Sequence, residues 1–339
     1  MFTDLTINWI SFLNMNIKFQ REENISGDPD LSYHGFGRIS KDQPPKFDPK
    51  IELISACEYF SDNGFTVLKN CLNDIELEHL NKFFDKTQID HPESWGLGKL
   101  REKQHLSQGI IFSLPLLDYP ELDIYIRHPS SYPIICRLLE GEDNVRFNEF
   151  NFREIPKNAG CRSMNFHYDG VLPDRLERNP YMPCDWIGSI HYLTDVDFKT
   201  PSFCVVPKSN LYASLRSAYE TLNDDYMEVP IYGKKGTCIL YDTALFHTRL
   251  DGDGIKSRRT WHQYYARGGW INSILPNQNY YLRAPSPTLT NWNLFPKRLV
   301  FNNNLKIRKY FSHWNASQCE WVVSNFDKEY RNLTVRGKF

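Results

Sequence analysis

From Val145 to Ala266 the chain repeats one texture: short runs rich in Phe, Ile, Val, Tyr and Trp, each closed by Gly, Pro, Asn or Asp. Runs of that length, bounded by turn residues, fit strands rather than helices. They fall near 145–155, 162–169, 186–196, 202–206, 229–232, 236–242, 245–248 and 258–266. The one helical interruption is Leu211 to Asn223, which reads as a crossover. About eight short strands with so few long helices between them predict a mainly β protein with flanking helices, a double-sheet jelly roll or related barrel.

Ahead of this region the pattern is mixed. Ile51 to Asp62 has helical periodicity, Gly64-Phe65-Thr66-Val67-Leu68 reads as a short strand, and Asn73-Asp74 offers an N-cap to a helix reaching Lys86. Residues 88–120 are punctuated by Pro and Gly, and a helix is expected from Tyr132 to Glu140. The expected organisation is an irregular N-terminal arm (1–50), one barrel domain with N-terminal helices (51–275), and a C-terminal extension packing on that domain (276–339) with an amphipathic helix over Ala316 to Tyr330. No internal repeat is present.

Composition excludes several classes. Lys+Arg number 40 against Asp+Glu 41, so no basic stripe invites nucleic acid. Eight cysteines form no C-x-x-C pair, which removes a zinc-thiolate site and predicts free thiols in a reducing compartment. The apolar stretch Ile7 to Leu13 has no basic residue before it and is far short of the roughly 20 residues of a membrane span. A cytoplasmic chain without a membrane partner is expected, with Met1 or Met15 as its start.

Three segments carry chemistry. In Asn165-Phe166-His167-Tyr168-Asp169-Gly170, alternation along a strand puts His167 and Asp169 on one face and Tyr168 on the other. An imidazole and a carboxylate on a common face supply two ligands of a facial metal triad, which leaves coordination positions open. By itself an H-x-D pair is weak, since a hydrogen-bonded surface pair gives the same letters. The second segment, Gly236 to His247, is a buried strand, a turn at Asp242-Thr243 and a histidine opening the next strand. Taken alone, His247 is as readily a core histidine. The third, Ser257 to Tyr265, follows the turn Leu250-Asp251-Gly252-Asp253-Gly254. There Arg258, Thr260, His262 and Tyr264 share one face and Arg259, Trp261, Gln263 and Tyr265 the other. An arginine pointing into a barrel is costly unless it meets an anion, and a bidentate carboxylate is the natural partner. His91-Pro92-Glu93 mimics a metal pair, but Pro92 is incompatible with the strand geometry it would need.

Together these segments, with the strand His191-Tyr192-Leu193-Thr194-Asp195 and the element Phe203-Cys204-Val205-Val206-Pro207-Lys208-Ser209-Asn210, resemble the phytanoyl-CoA dioxygenase family of Fe(II)/2-oxoglutarate oxygenases. The resemblance runs from Gly64 to about Tyr265. Lys208 and Asn210 depart from the family's usual Gly and His and touch no metal ligand. The resemblance implies a double-stranded β-helix of cupin-like form, with iron held by His167, Asp169 and His247 and 2-oxoglutarate as co-substrate. The family's co-substrate arginine follows its distal histidine by about eleven residues, which selects Arg258, eleven after His247, over Arg259. Thr260 would assist at the same carboxylate, and Arg153 is a further candidate contact. The implied reaction hydroxylates an aliphatic C–H of a small molecule, consuming O2 and releasing succinate and CO2. Asp169 matters because halogenating relatives replace this carboxylate with a small residue.

Trp186 and His191 are candidates to line the pocket, with Trp186 equally a core residue, and Arg162, Arg175 and Arg178 could meet an anionic substrate or be solvated loop charges. Two other readings use the same residues: a zinc hydrolase, which has no call for an inward arginine, and a barrel without turnover. The sequence specifies neither substrate nor oligomeric state.

Overall fold

The computed structural model describes residues 35–95, 109–112, 115–157, 165–169, 184–267, 295–300 and 302–311. Helix α1 (Leu53–Asn63) ends at Gly64, whose φ of 79° terminates the helix in the left-handed region that glycine adopts without a Cβ penalty. Strand β2 (Phe65–Leu68) follows at once and is wholly buried. Helix α2 (Asp74–Asp90) starts at Asn73 with a reciprocal cap: Asn73 Oδ1 accepts from Glu76 N at 3.0 Å, and Glu76 Oε2 accepts from Asn73 N at 2.8 Å. It runs four residues beyond the expected Lys86. Helix α3 (Tyr132–Leu138) occupies the expected place. In the crossover, a 3-10 turn at Ser209–Leu211 precedes α4 (Leu215–Leu222), which is capped by Ser214.

Among the described residues, ten strands build two sheets. The larger has the order β1-β2-β8-β5-β10-β4-β3 and the smaller β7-β6-β9. Their ranges are β1 Lys46–Phe47, β3 Ile110–Phe112, β4 Val145–Ile155, β5 Trp186–Tyr192, β6 Ser202–Val205, β7 Val229–Ile231, β8 Cys238–Asp242, β9 His247–Leu250 and β10 Arg258–Arg267. Every pairing is antiparallel except β1 with β2. This is the sheet-rich, helix-flanked jelly roll the sequence predicts. β3 lies in the stretch read only as Pro/Gly-punctuated, and β1 in the stretch read as an irregular arm. Of the strand expected over 162–169, residues 165–169 are described, and there His167 alone pairs, as a bridge to His247. The expected helix over Ala316 to Tyr330 lies outside the described residues.

Alternation along the strands separates two cores. On β10, Trp261 and Tyr265 face outward to the helices, while Tyr264 faces the space between the sheets. On β8, Leu240 faces outward, and Ile239 and Tyr241 inward. The outer layer is aromatic: Phe84, Trp95, Phe112 and Phe152 interlock with ring centroids 4.7–6.5 Å apart. Phe147 on β4 packs on Tyr265, Phe295 and Phe311, which brings residues 295–311 onto the domain. Pairing of β4 with β10 steps between Tyr264, opposite Glu149, and Tyr265, opposite Phe147, so Asn148 is a bulge residue.

Trp261 is fully buried between Tyr125, Phe150 and His191. Trp261→Ala is expected to destabilise the protein by about 3–5 kcal/mol, the range for removing a large buried aromatic. Urea denaturation measures it, and a loss below about 1 kcal/mol would mean this layer does not hold the fold.

Candidate metal centre

His167 and His247 face each other across a reciprocal backbone pair: His167 N donates to His247 O at 2.9 Å, and His247 N to His167 O at 2.8 Å. Asp169 N donates to Thr243 O at 2.8 Å, which ties the carboxylate's backbone to the turn before β9. The three side chains converge, with one ligand atom from each lying within 4.8 Å of the others. Asp169 Oδ1 is 3.7 Å from His167 Nε2, and Oδ2 is 3.4 Å from His247 Nε2.

Hydrogen bonding dictates which atoms face the shared point. Each Nδ1 lies 2.8 Å from a backbone carbonyl two residues earlier, that of Asn165 for His167 and of Leu245 for His247. A carbonyl only accepts, so both protons sit on Nδ1 and both Nε2 lone pairs point to the centre. Tyr241 and Tyr264 each place a phenolic oxygen 2.8 Å from Asp169 Oδ2 and donate to it. Oδ1 keeps its lone pairs. Two imidazole nitrogens and a carboxylate oxygen, each oriented from behind, fit a divalent metal with open positions.

Electrostatics agree. Burial, then the neighbouring His247, pushes His167 down to about 4. Burial acts against the Asp169 charge, but His247, His167 and the Tyr241 phenol outweigh it and hold the carboxyl far below its usual range. The centre therefore offers one carboxylate and a neutral His167 imidazole at neutral pH, the states that bind metal.

Around the centre lies a pocket between the sheets, and Arg153, Arg249, Arg258 and His262 reach it, with Ile190 and Phe203 as apolar walls. Arg258 is 6% exposed, and its Nε has no hydrogen-bond partner among the described residues. Burial, then the guanidiniums of Arg249 and Arg153, pulls it down to about 10 against the Tyr192 phenol, so it remains cationic. Arg259 points the other way, to Asp85 at 2.6 Å and Glu154 at 3.3 Å. Arg153 reaches the pocket with its Nε 2.8 Å from Asn151 Oδ1. Thr260 lies on the Arg258 face but is fully buried behind the pocket wall, with its hydroxyl 2.9 Å from His262 Nε2.

His191 is a correction, and Trp186 takes the core alternative that the sequence leaves open. His191 stacks on Trp261 at 4.1 Å on the outer face of β5, because it alternates with the inward Ile190. Trp186 is buried and does not reach the pocket. Arg162, Arg175 and Arg178 lie outside the described residues. Arg249 and the paired phenols were not singled out from the sequence, although strand alternation carries a signal for both: Arg249 is two residues after His247, and Tyr264 shares the Arg258 face. Nothing in the sequence announces the role of Gly188. A Cβ there would lie 2.3 Å from the Tyr241 ring, so only glycine lets that phenol cross β5 to reach Asp169.

Replacing Tyr241 and Tyr264 together by Phe keeps the rings and removes both donors to Asp169. Metal affinity is expected to fall about 10- to 100-fold, read by anaerobic calorimetric titration with Fe(II) or Co(II). Unchanged affinity in the folded double variant would show that the phenols do not orient the carboxylate.

No protein-family model matches the chain, and no curated protein matches it. Among solved structures, the chain is similar to the non-heme alpha ketoglutarate dependent carbocyclase SnoK from nogalamycin biosynthesis, at 14% identity and TM-score 0.51 over 73% of this chain and 97% of that one. It is also similar to the non-heme alpha ketoglutarate dependent epimerase SnoN from nogalamycin biosynthesis, at 15% identity and TM-score 0.51 over 74% and 96%. At such identities the likeness is one of fold, and that fold spans nearly the whole of both neighbours.

Proposed function

We propose that this protein is an Fe(II)- and 2-oxoglutarate-dependent oxygenase of the phytanoyl-CoA dioxygenase type, hydroxylating an aliphatic C–H of a small molecule. One observation carries the reading: a metal-competent His167, Asp169 and His247 centre shares its pocket with Arg258, a buried cation with no ion-pair partner among the described residues. Metal ligands alone would serve a hydrolase. A buried guanidinium facing the same space calls for an anion, and a 2-oxo dicarboxylate answers both ends at once. The fold neighbours are themselves named as alpha ketoglutarate dependent enzymes.

The residues divide the work as follows. His167 Nε2, His247 Nε2 and Asp169 Oδ1 would hold Fe(II) from one side. When bound, the iron with 2-oxoglutarate and O2 supplies the oxidation, and succinate and CO2 leave. Arg258 would take the distal carboxylate of the co-substrate and set its direction. Tyr241 and Tyr264 hold Asp169 in place, and burial pushes both phenols up, so they stay protonated donors. Ile190 and Phe203 exclude water from the reacting face. Burial acts against the Arg153 charge, but Tyr264, Glu149, Asp169 and Tyr241 hold its pKa above the ordinary guanidinium value, and it would offer a second anionic contact. We assign hydroxylation because the carboxylate ligand is present. A carbocyclase and an epimerase share the fold, so the product must be analysed directly.

The test is succinate formation under air with Fe(II), 2-oxoglutarate and a panel of small-molecule substrates. His167→Ala should abolish it. Arg258→Gln should raise the KM for 2-oxoglutarate about 100-fold or more, and Arg259→Gln by no more than a few-fold, in keeping with the loss of a charge-assisted bidentate contact. Turnover with Zn(II) in the absence of 2-oxoglutarate would sink the proposal in favour of a hydrolase. An equal response of the two arginine variants would sink the assignment of Arg258.

A further inference from the structure

Strand alternation gives the candidate metal ligands an outer side as well as an inner one. Phe166 and Tyr168 flank His167, Tyr168 also precedes Asp169, and Phe246 precedes His247. With the ligands turned to the centre, these rings turn away from it and join one packed cluster with Cys204, Val206, Leu215 and Tyr226. Tyr168 meets Phe246 edge to face at 5.8 Å. Phe36, from the stretch ahead of β1, packs against the same cluster. Its ring stacks on Tyr219 of α4 at 4.0 Å and meets the edge of Tyr226 at 5.6 Å.

A buried carboxylate seats Phe36. Glu228 is 2% exposed, and its Oε1 accepts from Phe36 N at 2.5 Å, from Gly37 N at 3.1 Å and from the Tyr226 phenol at 3.2 Å. Gly35 and Gly37 have φ of 78° and 74°, so successive N–H groups curl around the anion as a backbone nest. A Cβ on Gly35 would lie 2.4 Å from Oε1, so glycine alone permits the approach. The attachment continues as a parallel bridge: Glu228 N donates to Arg38 O at 2.9 Å, and Ser40 N to Glu228 O at 2.8 Å. The Arg38 guanidinium donates to Asn223 O at 2.6 Å and lies over the Tyr219 ring. Residues 35–40 are a strap, fastened by backbone, carboxylate and stacked rings.

We propose that this strap positions the metal ligands: Phe36, seated by the nest on Glu228, backs the outer cluster and so keeps His167 and Asp169 in register with His247. Among the described residues, the segment 165–169 pairs by a single bridge, and so few ladder bonds constrain it weakly. Rings packed on its outer side remove the freedom that remains. Phe36 acts through that packing, not at the metal. This rests on the reading of His167, Asp169 and His247 as a metal centre and adds to it a support remote in the chain.

Calorimetric titration of the full-length protein with Co(II) under argon tests the strap, together with deuterium uptake by the 165–169 amides before metal is added. Phe36→Ala and Gly35→Ala should each weaken Co(II) about 10-fold, the lower end for losing a group that orients a ligand. Both should also raise deuterium uptake at His167 and Asp169. Phe36→Tyr, which keeps a ring able to stack, should restore both readouts. Phe295→Ala removes a ring from the other core and serves as the control for general loss of stability; it should leave Co(II) affinity within about two-fold. Native affinity and native uptake in folded Phe36→Ala would refute the strap. An equal loss of affinity in Phe295→Ala would also refute it, by assigning the effect to overall stability. A native protein that binds no Co(II) would overturn the metal-centre reading instead, and the uptake comparison would then decide the strap by itself.

Discussion

The two backbone hydrogen bonds exchanged by His167 and His247 bring the centre together. One histidine lies in a segment that pairs by a single bridge, the other at the start of a regular strand, 80 residues later in the chain. Side chains alone cannot hold two such remote positions in register, because each rotamer would add its own freedom. The reciprocal pair fixes both Cα atoms at once, and the alternation of the first segment then carries Asp169 to the same side. On that closure the carbonyls behind each Nδ1 set the tautomers, and the two phenols orient the carboxylate.

A centre built this way lies in costly surroundings. The space between the sheets holds three arginines, the carboxylate of the candidate centre and two phenols, most of them removed from water. Buried polar groups persist only when partners satisfy them. Much of this pocket follows that rule: Tyr241 and Tyr264 satisfy Asp169, Asn151 satisfies Arg153, and Thr260 satisfies His262. Arg258, whose Nε has no hydrogen-bond partner among the described residues, departs from it. A buried guanidinium with no ion-pair partner among the described residues is costly, and the proposed reading meets that cost with an anion.

Much of this was legible in the sequence, for a definite reason. Strand alternation has period two, so the letters at 167 and 169, or at 258 and 259, fix which side each residue takes once the strand is recognised. Both faces of β10 are buried, so it is the eleven-residue spacing from His247 that separates Arg258 from Arg259. What escaped the reading was tertiary. β3 has three residues, too few for any pattern to register. His191 was assigned to the pocket from its neighbourhood, when parity with Ile190 sends it outward. Thr260 has the right parity, yet His262 and the backbone of Arg153 occupy its hydroxyl. Gly188 matters for a ring on the adjacent strand, and its own segment gives no sign of that.

The bulge at Asn148 has a consequence for the whole long strand that carries it. Before it, the odd-numbered residues Val145 and Phe147 face the aromatic layer; after it, the even-numbered Phe150 and Phe152 do, and the odd-numbered Arg153 faces the pocket. Asn148 thus works as a phase shifter within one strand, so that its first residues can anchor the C-terminal residues 295–311 while the remainder serves the centre. A deletion there would do more than weaken a contact. It would turn either Phe147 or Arg153 over, and the chain would have to choose between its outer seal and its inner charge.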